Sequence, residues 1–82
     1  MPLNRKALEE LLEIAGTNRN LVDGLREFGG PKNERSIQQW RNTGKNPSIR
    51  YIDAMYRYAG SIGRPDLKFY LPPETEEQQN AH

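Results

Sequence analysis

Two glutamines and an arginine stand beside the only tryptophan, in the stretch Arg35-Ser-Ile-Gln-Gln-Trp-Arg41. A glutamine amide can pair in bidentate fashion with the N6 and N7 atoms of adenine, and an arginine with the O6 and N7 atoms of guanine. Arg35, Gln38 and Gln39 are therefore candidate readers of base edges in DNA. The residues just downstream are polar or basic, and such side chains commonly contact phosphates. They are Asn42, Thr43 and Lys45.

Residues for other chemistries are scarce. There is no cysteine, and the single histidine is His82. The sequence therefore lacks the residues for thiolate nucleophiles and for the usual zinc sites, and His82 is the only residue that could serve in imidazole catalysis. Glu9, Glu10 and Glu13 are grouped, but their spacing is that of a solvated helix face. Gly29-Gly30 lacks the pattern of a phosphate-binding loop and indicates a turn. We therefore expect no enzymatic activity, no metal site and no cofactor.

The charges are unevenly distributed, although the net charge of the 82 residues is only +1. Residues 32–64 carry seven lysines and arginines against two carboxylates, whereas residues 65–82 carry one lysine against four carboxylates. A basic central segment favours a polyanionic partner, which the acidic end would repel. No apolar run approaches the ~20 residues of a membrane-spanning helix, and the first residues do not resemble a secretory signal. We expect a soluble, cytoplasmic protein.

Apolar spacing predicts two helices in the first third of the chain. The first helix follows the N-cap Asn4 and stops at Gly16. The second begins at one of several alternative caps in residues 17–20 and runs to about Phe28.

The third helix is predicted to be short and mostly polar. Asn33 is its cap, and only Ile37 and Trp40 form an inward stripe. The preceding Gly29-Gly-Pro-Lys32 must turn, because glycine permits left-handed angles and proline cannot continue a helix. Two short helices joined by such a turn, the second of them polar, are typical of a helix-turn-helix that lays its second helix in a major groove.

The fourth helix is predicted to open at Pro47 or Ser48 and to run to Gly60. Its inward stripe is predicted to contain Ile49, Ile52, Met55, Tyr56 and Ala59. On the same helix, Arg50 and Arg57 either contact phosphate or only improve solubility. Residues 67–71 form a short strand or one helical turn, and periodicity does not decide between them.

The stretch from Ser36 to Ile49 resembles the recognition helix and following loop of the Cro/repressor (XRE-type) helix-turn-helix DNA-binding family. The shared features are an Ile-x-x-Trp step, a Gly-Lys loop and an Asn-Pro-Ser helix start, here Ile37 and Trp40, Gly44-Lys45, and Asn46-Pro47-Ser48. The similarity extends over about residues 4–60. It implies a compact, lambda-repressor-like all-α domain of four to five helices over residues 1–64, followed by a short C-terminal arm.

The resemblance also implies which side chains face DNA. Those facing base edges are Glu34, Arg35, Gln38 and Gln39. The predicted phosphate contacts are Asn18, Arg19, Asn20, Lys32, Ser36, Arg41, Asn42, Thr43 and Lys45. The first three of these are alternatives at the start of the second helix, where the helix dipole favours an anion. The turn before the third helix is one or two residues longer than is usual in the family, so either Gly24 or Val22 supplies the small residue where the second and third helices cross.

Proteins of this family commonly bind two-fold operators as dimers. The resemblance therefore implies a homodimer on a palindromic double-stranded DNA operator, with the two recognition helices about 34 Å apart. The apolar residues available for the interface are Leu67, Phe69, Tyr70 and Leu71, within a possible dimerisation arm at residues 65–73. The alternative is that they pack onto the first or fourth helix of their own chain. Residues 74–82 are predicted to be a disordered acidic tail.

Our first hypothesis is a sequence-specific DNA-binding transcriptional regulator, a repressor of phage or plasmid type. The alternative is a helix-turn-helix adaptor that binds a protein, such as an antitoxin, an inhibitor or a phage assembly component. A third possibility is a DNA-binding accessory protein for recombination or packaging.

Overall fold

The structure, a computed structural model, describes residues 3–70. This part of the chain contains four helices, α1 Arg5–Ala15, α2 Asn18–Arg26, α3 Glu34–Asn42 and α4 Ile49–Ser61. Among the described residues there is no strand, and the only β-type pairing is a single antiparallel bridge between Leu3 and Tyr70. The predicted all-α class is confirmed.

Side-chain caps determine where the first three helices begin. Asn4, Thr17 and Asn33 each accept a hydrogen bond from a backbone N–H two or three residues further on. Each cap satisfies an amide that has no partner inside its helix. The predicted caps of α1 and α3 are therefore confirmed, and Thr17 resolves the open start of α2.

The end of α2 lies two residues earlier than predicted. The carbonyl of Leu25 accepts hydrogen bonds from the amides of both Phe28 and Gly30, at 3.0 and 2.9 Å, which tightens the chain into a turn. Gly29 has a φ of 86°, in the left-handed region that favours glycine. A Cβ on Gly30 would lie 2.5 Å from the Cβ of Leu25, so the turn folds directly back on α2.

Helix α4 differs from its prediction at both ends. It continues through Ser61, one residue past the predicted end. Ile49 was predicted to point inward but is 75% exposed. Its angular position matches the buried stripe of Ile52 and Met55, but it is the first residue of the helix and follows a loop whose residues 43–46 are all exposed. Ile49 therefore lies outside the core, which α4 joins only from Tyr51 and Ile52 onwards.

The core combines all four helices with both ends of the described chain. Its apolar members are Leu3, Ala7, Leu8, Leu11, Leu12, Leu21, Val22, Leu25, Ile37, Trp40, Ile52, Ala54, Met55, Ala59, Leu67 and Phe69. Helices α1, α2 and α3 pack against one another, and α4 packs on α2. A Cβ on Gly24 would lie 2.5 Å from the ring of Tyr58, so this small residue serves the contact of α2 with α4.

The C-terminal arm packs into its own chain. Leu67 and Phe69, predicted to pair with a second subunit, are 6% and 0% exposed in the core. The carbonyl of Phe69 accepts from the Asn4 N–H at 2.9 Å, and its N–H donates to the Tyr56 hydroxyl at 3.0 Å. These two residues therefore pack back on their own chain, as the alternative predicts.

The other residues of the arm are less enclosed. Tyr70 is half-buried, with its ring 6.0 Å from that of Tyr56, and Leu71 lies outside the described residues. Residues 67–70 form neither a strand nor a helical turn. The predicted acidic tail, residues 74–82, also lies outside the described part of the chain.

An ion pair cluster holds the start of the arm. The guanidinium of Arg64 donates to both carboxylate oxygens of Asp66, each at 2.9 Å, and to Glu10 of α1 at 3.1 Å. The hydrogen bonds from Arg64 lower the pKa of the Asp66 carboxyl below its ordinary value.

Within residues 3–70, no helix has the length and apolar character needed to cross a bilayer.

Candidate nucleic-acid interface

Helix α3 has one buried side and one exposed side. Ile37 and Trp40 are buried, and the side chains on the opposite side, at about 100° per residue, are polar. We call Arg35, Gln38, Gln39 and Asn42 the exposed face of α3. Three of the four are exposed and Gln39 is half-buried. The predicted division of this helix into core and solvent sides is thus observed for Ile37, Trp40 and the two glutamines.

Contacts from distant elements fix the orientation of α3. The carbonyl of Trp40 accepts a hydrogen bond from the Arg5 Nε at 2.8 Å, and the Trp40 ring centroid lies 5.8 Å from that of Tyr51. The Arg5 Nη2 also donates to the carbonyl of Lys45 at 3.2 Å. The role of Arg5 has no signature in the sequence, because nothing near it in the chain indicates that it joins α1 to the end of α3.

In the loop after α3, some of the predicted phosphate-binding side chains are exposed to solvent, and others form hydrogen bonds within the protein. Lys45 in the loop is exposed, as is Asn42, the last residue of α3. The Thr43 hydroxyl is also exposed but donates to the Gln39 carbonyl at 2.7 Å, where it caps the helix end. Asn46 accepts from the Leu3 N–H at 3.1 Å, which holds the loop against the start of the chain.

One flank of α3 contains cations that are paired with carboxylates. The Arg41 Nε and Nη2 donate to the two carboxylate oxygens of Glu9 at 2.8 and 3.2 Å, and its Nη1 reaches the Asn18 Oδ1 at 3.4 Å. The Arg19 Nε lies 3.6 Å from the Glu34 Oε2. We call these five residues the paired flank. Glu34, predicted to face base edges, is half-buried here at the side of α3.

Asn20, the remaining candidate at the start of α2, is used within the protein. Its Nδ2 donates to the Ala15 carbonyl at 2.9 Å, which satisfies an acceptor at the end of α1. Its backbone N–H donates to the hydroxyl of Thr17 at 3.0 Å. Of the three alternatives for a phosphate contact at this helix start, Asn18 and Arg19 are therefore the ones turned towards α3.

The other flank of α3 is an open cleft of about 650 Å³. It lies between the turn after α2, the start of α3 and the start of α4. We call it the basic cleft, and its lining residues are Arg26, Gly29, Gly30, Lys32, Asn33, Ser36, Arg50 and Tyr51. Lys32 and Ser36 are predicted phosphate contacts. The sequence gives no indication of a role for Arg26, and for Arg50 it allows either phosphate contact or an effect on solubility.

The cations of the basic cleft are less neutralised than those of the paired flank. Within residues 3–70, neither Lys32 nor Arg50 has a carboxylate at ion-pair distance. Arg26 lies 3.5 Å from Asp23 on the same helix, and both side chains are more than half exposed. The structure therefore brings Arg50 of α4 to the same cleft as Arg26 of α2 and Lys32 of the turn, which lie much earlier in the sequence.

The described residues hold no group of three or more histidine, cysteine, aspartate or glutamate side chains placed to bind a metal ion. Comparison of the chain with protein-family models, with curated proteins and with solved structures finds no match. The relation to the Cro/repressor family accordingly stays a prediction that rests on the residues quoted above.

Proposed function

We propose that the chain is a sequence-specific double-stranded DNA-binding transcriptional regulator that places α3 in the major groove. The observation that carries the proposal is the exposed face of α3. It holds two glutamines, an arginine and an asparagine on a helix whose other side is anchored by Ile37 and Trp40. Amide and guanidinium groups on a rigid support are what direct readout of adenine and guanine requires.

The dimensions of α3 and its flanks support this proposal. A helix with its side chains is about 10–12 Å across, close to the width of about 12 Å of the B-DNA major groove. A helix inserted there brings both of its flanks near phosphates. The cations Arg19 and Arg41 lie on one flank, where carboxylates pair with them, and Lys32 and Arg50 lie on the other. Each flank thus has basic side chains that can contact phosphates.

We further propose that the regulator is a repressor of phage or plasmid type and acts as a homodimer on a palindromic operator. Because Leu67 and Phe69 are enclosed in the core of their own chain, the proposed dimer uses other residues for its interface. Half-buried Tyr70 is the member of the predicted interface set that retains exposed surface within the described residues.

The adaptor alternative receives less support. A protein partner is expected to dock on a contiguous apolar patch. In residues 3–70 the exposed large hydrophobic side chains are Ile14 on α1 and Ile49 on α4. Neither lies on the exposed face of α3, which is polar throughout.

Selection of bound fragments from random duplex DNA, followed by titration of variants, tests the proposal. We expect Gln38→Ala and Gln39→Ala each to weaken binding to the selected site by about 1–3 kcal/mol and to relax a base position. Binding to random-sequence DNA should change little. Ser61→Ala, which truncates an uncharged side chain at the far end of α4, is the control. If both glutamine variants keep the base preference of the wild type, the assignment of readers is wrong.

A further inference from the structure

We propose that the basic cleft binds the phosphodiester backbone of one DNA strand while α3 occupies the major groove. The inference rests on the proposed function and adds to it a specific phosphate site. Its principal side chains are Arg26, Lys32 and Arg50, contributed by the end of α2, the turn and the start of α4.

The charge of the cleft suits a polyanion. Lys32 and Arg50 have no ion-pair partner among residues 3–70. The Arg26–Asp23 pair is exposed and weak, at 3.5 Å, so a phosphate can compete for the guanidinium. Each lysine or arginine that neutralises a DNA phosphate releases counterions that are condensed on the DNA, which favours binding.

Neutral groups in the cleft complement the cations. Asn33, Ser36 and Tyr51 also line it and carry amide or hydroxyl donors. The ring of Tyr51 packs 5.8 Å from that of Trp40, which couples the start of α4 to the buried side of α3. The walls of the cleft therefore have a fixed position relative to α3. A site that binds a phosphate next to a recognised base needs such a fixed position.

The cleft also lies where a DNA strand must pass. Ser36 is both a lining residue of the cleft and the neighbour of Arg35 on α3. At about 100° per residue it lies at the edge of the exposed face, on the side opposite to Glu34 and Arg41. A strand that borders the groove on this side of α3 would run along the opening of the cleft.

Salt-dependent binding of full-length variants to a random-sequence duplex tests the site. Lys32→Gln and Arg50→Gln should each make the negative slope of log K against log salt shallower by roughly 0.9, and the double variant by roughly twice as much. Arg57→Gln is the matched control, since Arg57 lies two turns further along α4 and does not line the basic cleft. It should leave the slope unchanged. Base preference on the selected site should survive all three cleft variants.

The outcomes separate the two proposals. Wild-type protein that prefers a sequence, with unchanged slopes in the cleft variants, would overturn the cleft alone. Reduced slopes without any base preference would retain the cleft and refute sequence-specific function. A wild type that fails to bind duplex DNA at low salt would overturn both. Titration with inorganic phosphate distinguishes a free anion: saturable binding that the double variant loses, without a change in the DNA slope, would assign the cleft to phosphate itself and overturn the DNA proposal.

Discussion

The two flanks of α3 have cations in similar positions but differ in how those cations are neutralised. On the paired flank, Arg41 is held by both oxygens of Glu9 and Arg19 lies beside Glu34. In the basic cleft, Lys32 and Arg50 lack such partners within residues 3–70. The difference shows that a count of basic residues overstates the number of cations that are free to bind a polyanion, because carboxylates from other helices already pair with some of them.

The neutralisation of the paired flank is reversible. The side chains of Arg41 and Glu9 are 36% and 52% exposed, and exposed ion pairs of this kind contribute about 0–1 kcal/mol. A DNA phosphate can therefore replace Glu9 as the partner of Arg41, but it must displace a carboxylate to do so. The basic cleft imposes no comparable exchange on Lys32 or Arg50.

The largest expected effect comes from removing the residue on which both flanks depend. Trp40 anchors α3, accepts the Arg5 hydrogen bond through its carbonyl and packs against Tyr51 beside the cleft. Trp40→Ala should lower the free energy of unfolding by about 3–5 kcal/mol, because it leaves a cavity in the core. Urea denaturation measures this loss. Trp40→Phe is the milder companion, and an alanine variant as stable as the phenylalanine one would contradict the anchoring role.

A smaller effect is expected from a substitution that distorts the basic cleft without changing its charge. Gly30→Ala introduces a Cβ 2.5 Å from that of Leu25 and 2.9 Å from its carbonyl oxygen. Relief of that overlap should cost about 1–3 kcal/mol of unfolding free energy and shift the turn. Gly60→Ala is the control, because a Cβ there meets nothing within 4 Å in an exposed helical position. It should be neutral or stabilising by up to about 1 kcal/mol. Thermal unfolding of both variants compares them, and equal stabilities would argue against the close packing at Gly30.

The smallest effect is expected from a substitution that leaves an arginine of the paired flank without its carboxylate, as in the basic cleft. Glu9→Gln removes the carboxylate that holds Arg41, so Arg41 becomes available to a phosphate. The salt slope on random-sequence duplex DNA should steepen by up to about 0.9. Glu13→Gln, an exposed residue one turn further along α1, makes the same change in net charge and is the control. If the two variants steepen the slope equally, net charge and not the pairing of Arg41 is responsible.

Local chemistry explains which parts of the fold were predictable. Asn4 and Asn33 cap their helices as expected, because a capping side chain and its amide lie within three residues of each other. Apolar spacing located all four helices and the burial of Ile37 and Trp40. Ile49 was misplaced, since periodicity gives the direction of a side chain but not where the core ends.

The candidate site was predicted in part for the same reason. The exposed positions of Arg35, Gln38 and Asn42 follow from the helical period. Pairing of Arg41 with Glu9 joins residues on α3 and α1, and the cleft joins Arg26 to Arg50. Neither relation has a local signature in the sequence.

By itself, the sequence determined an all-α chain with a polar third helix bounded by Asn33 and a glycine-bearing loop, because caps, breakers and helical periodicity act within a few residues. Only the tertiary structure decided that Leu67 and Phe69 complete the core of their own chain, and that one flank of α3 is paired while the other is a basic cleft. Those outcomes depend on distances between residues far apart in sequence, which are set by how the helices pack together.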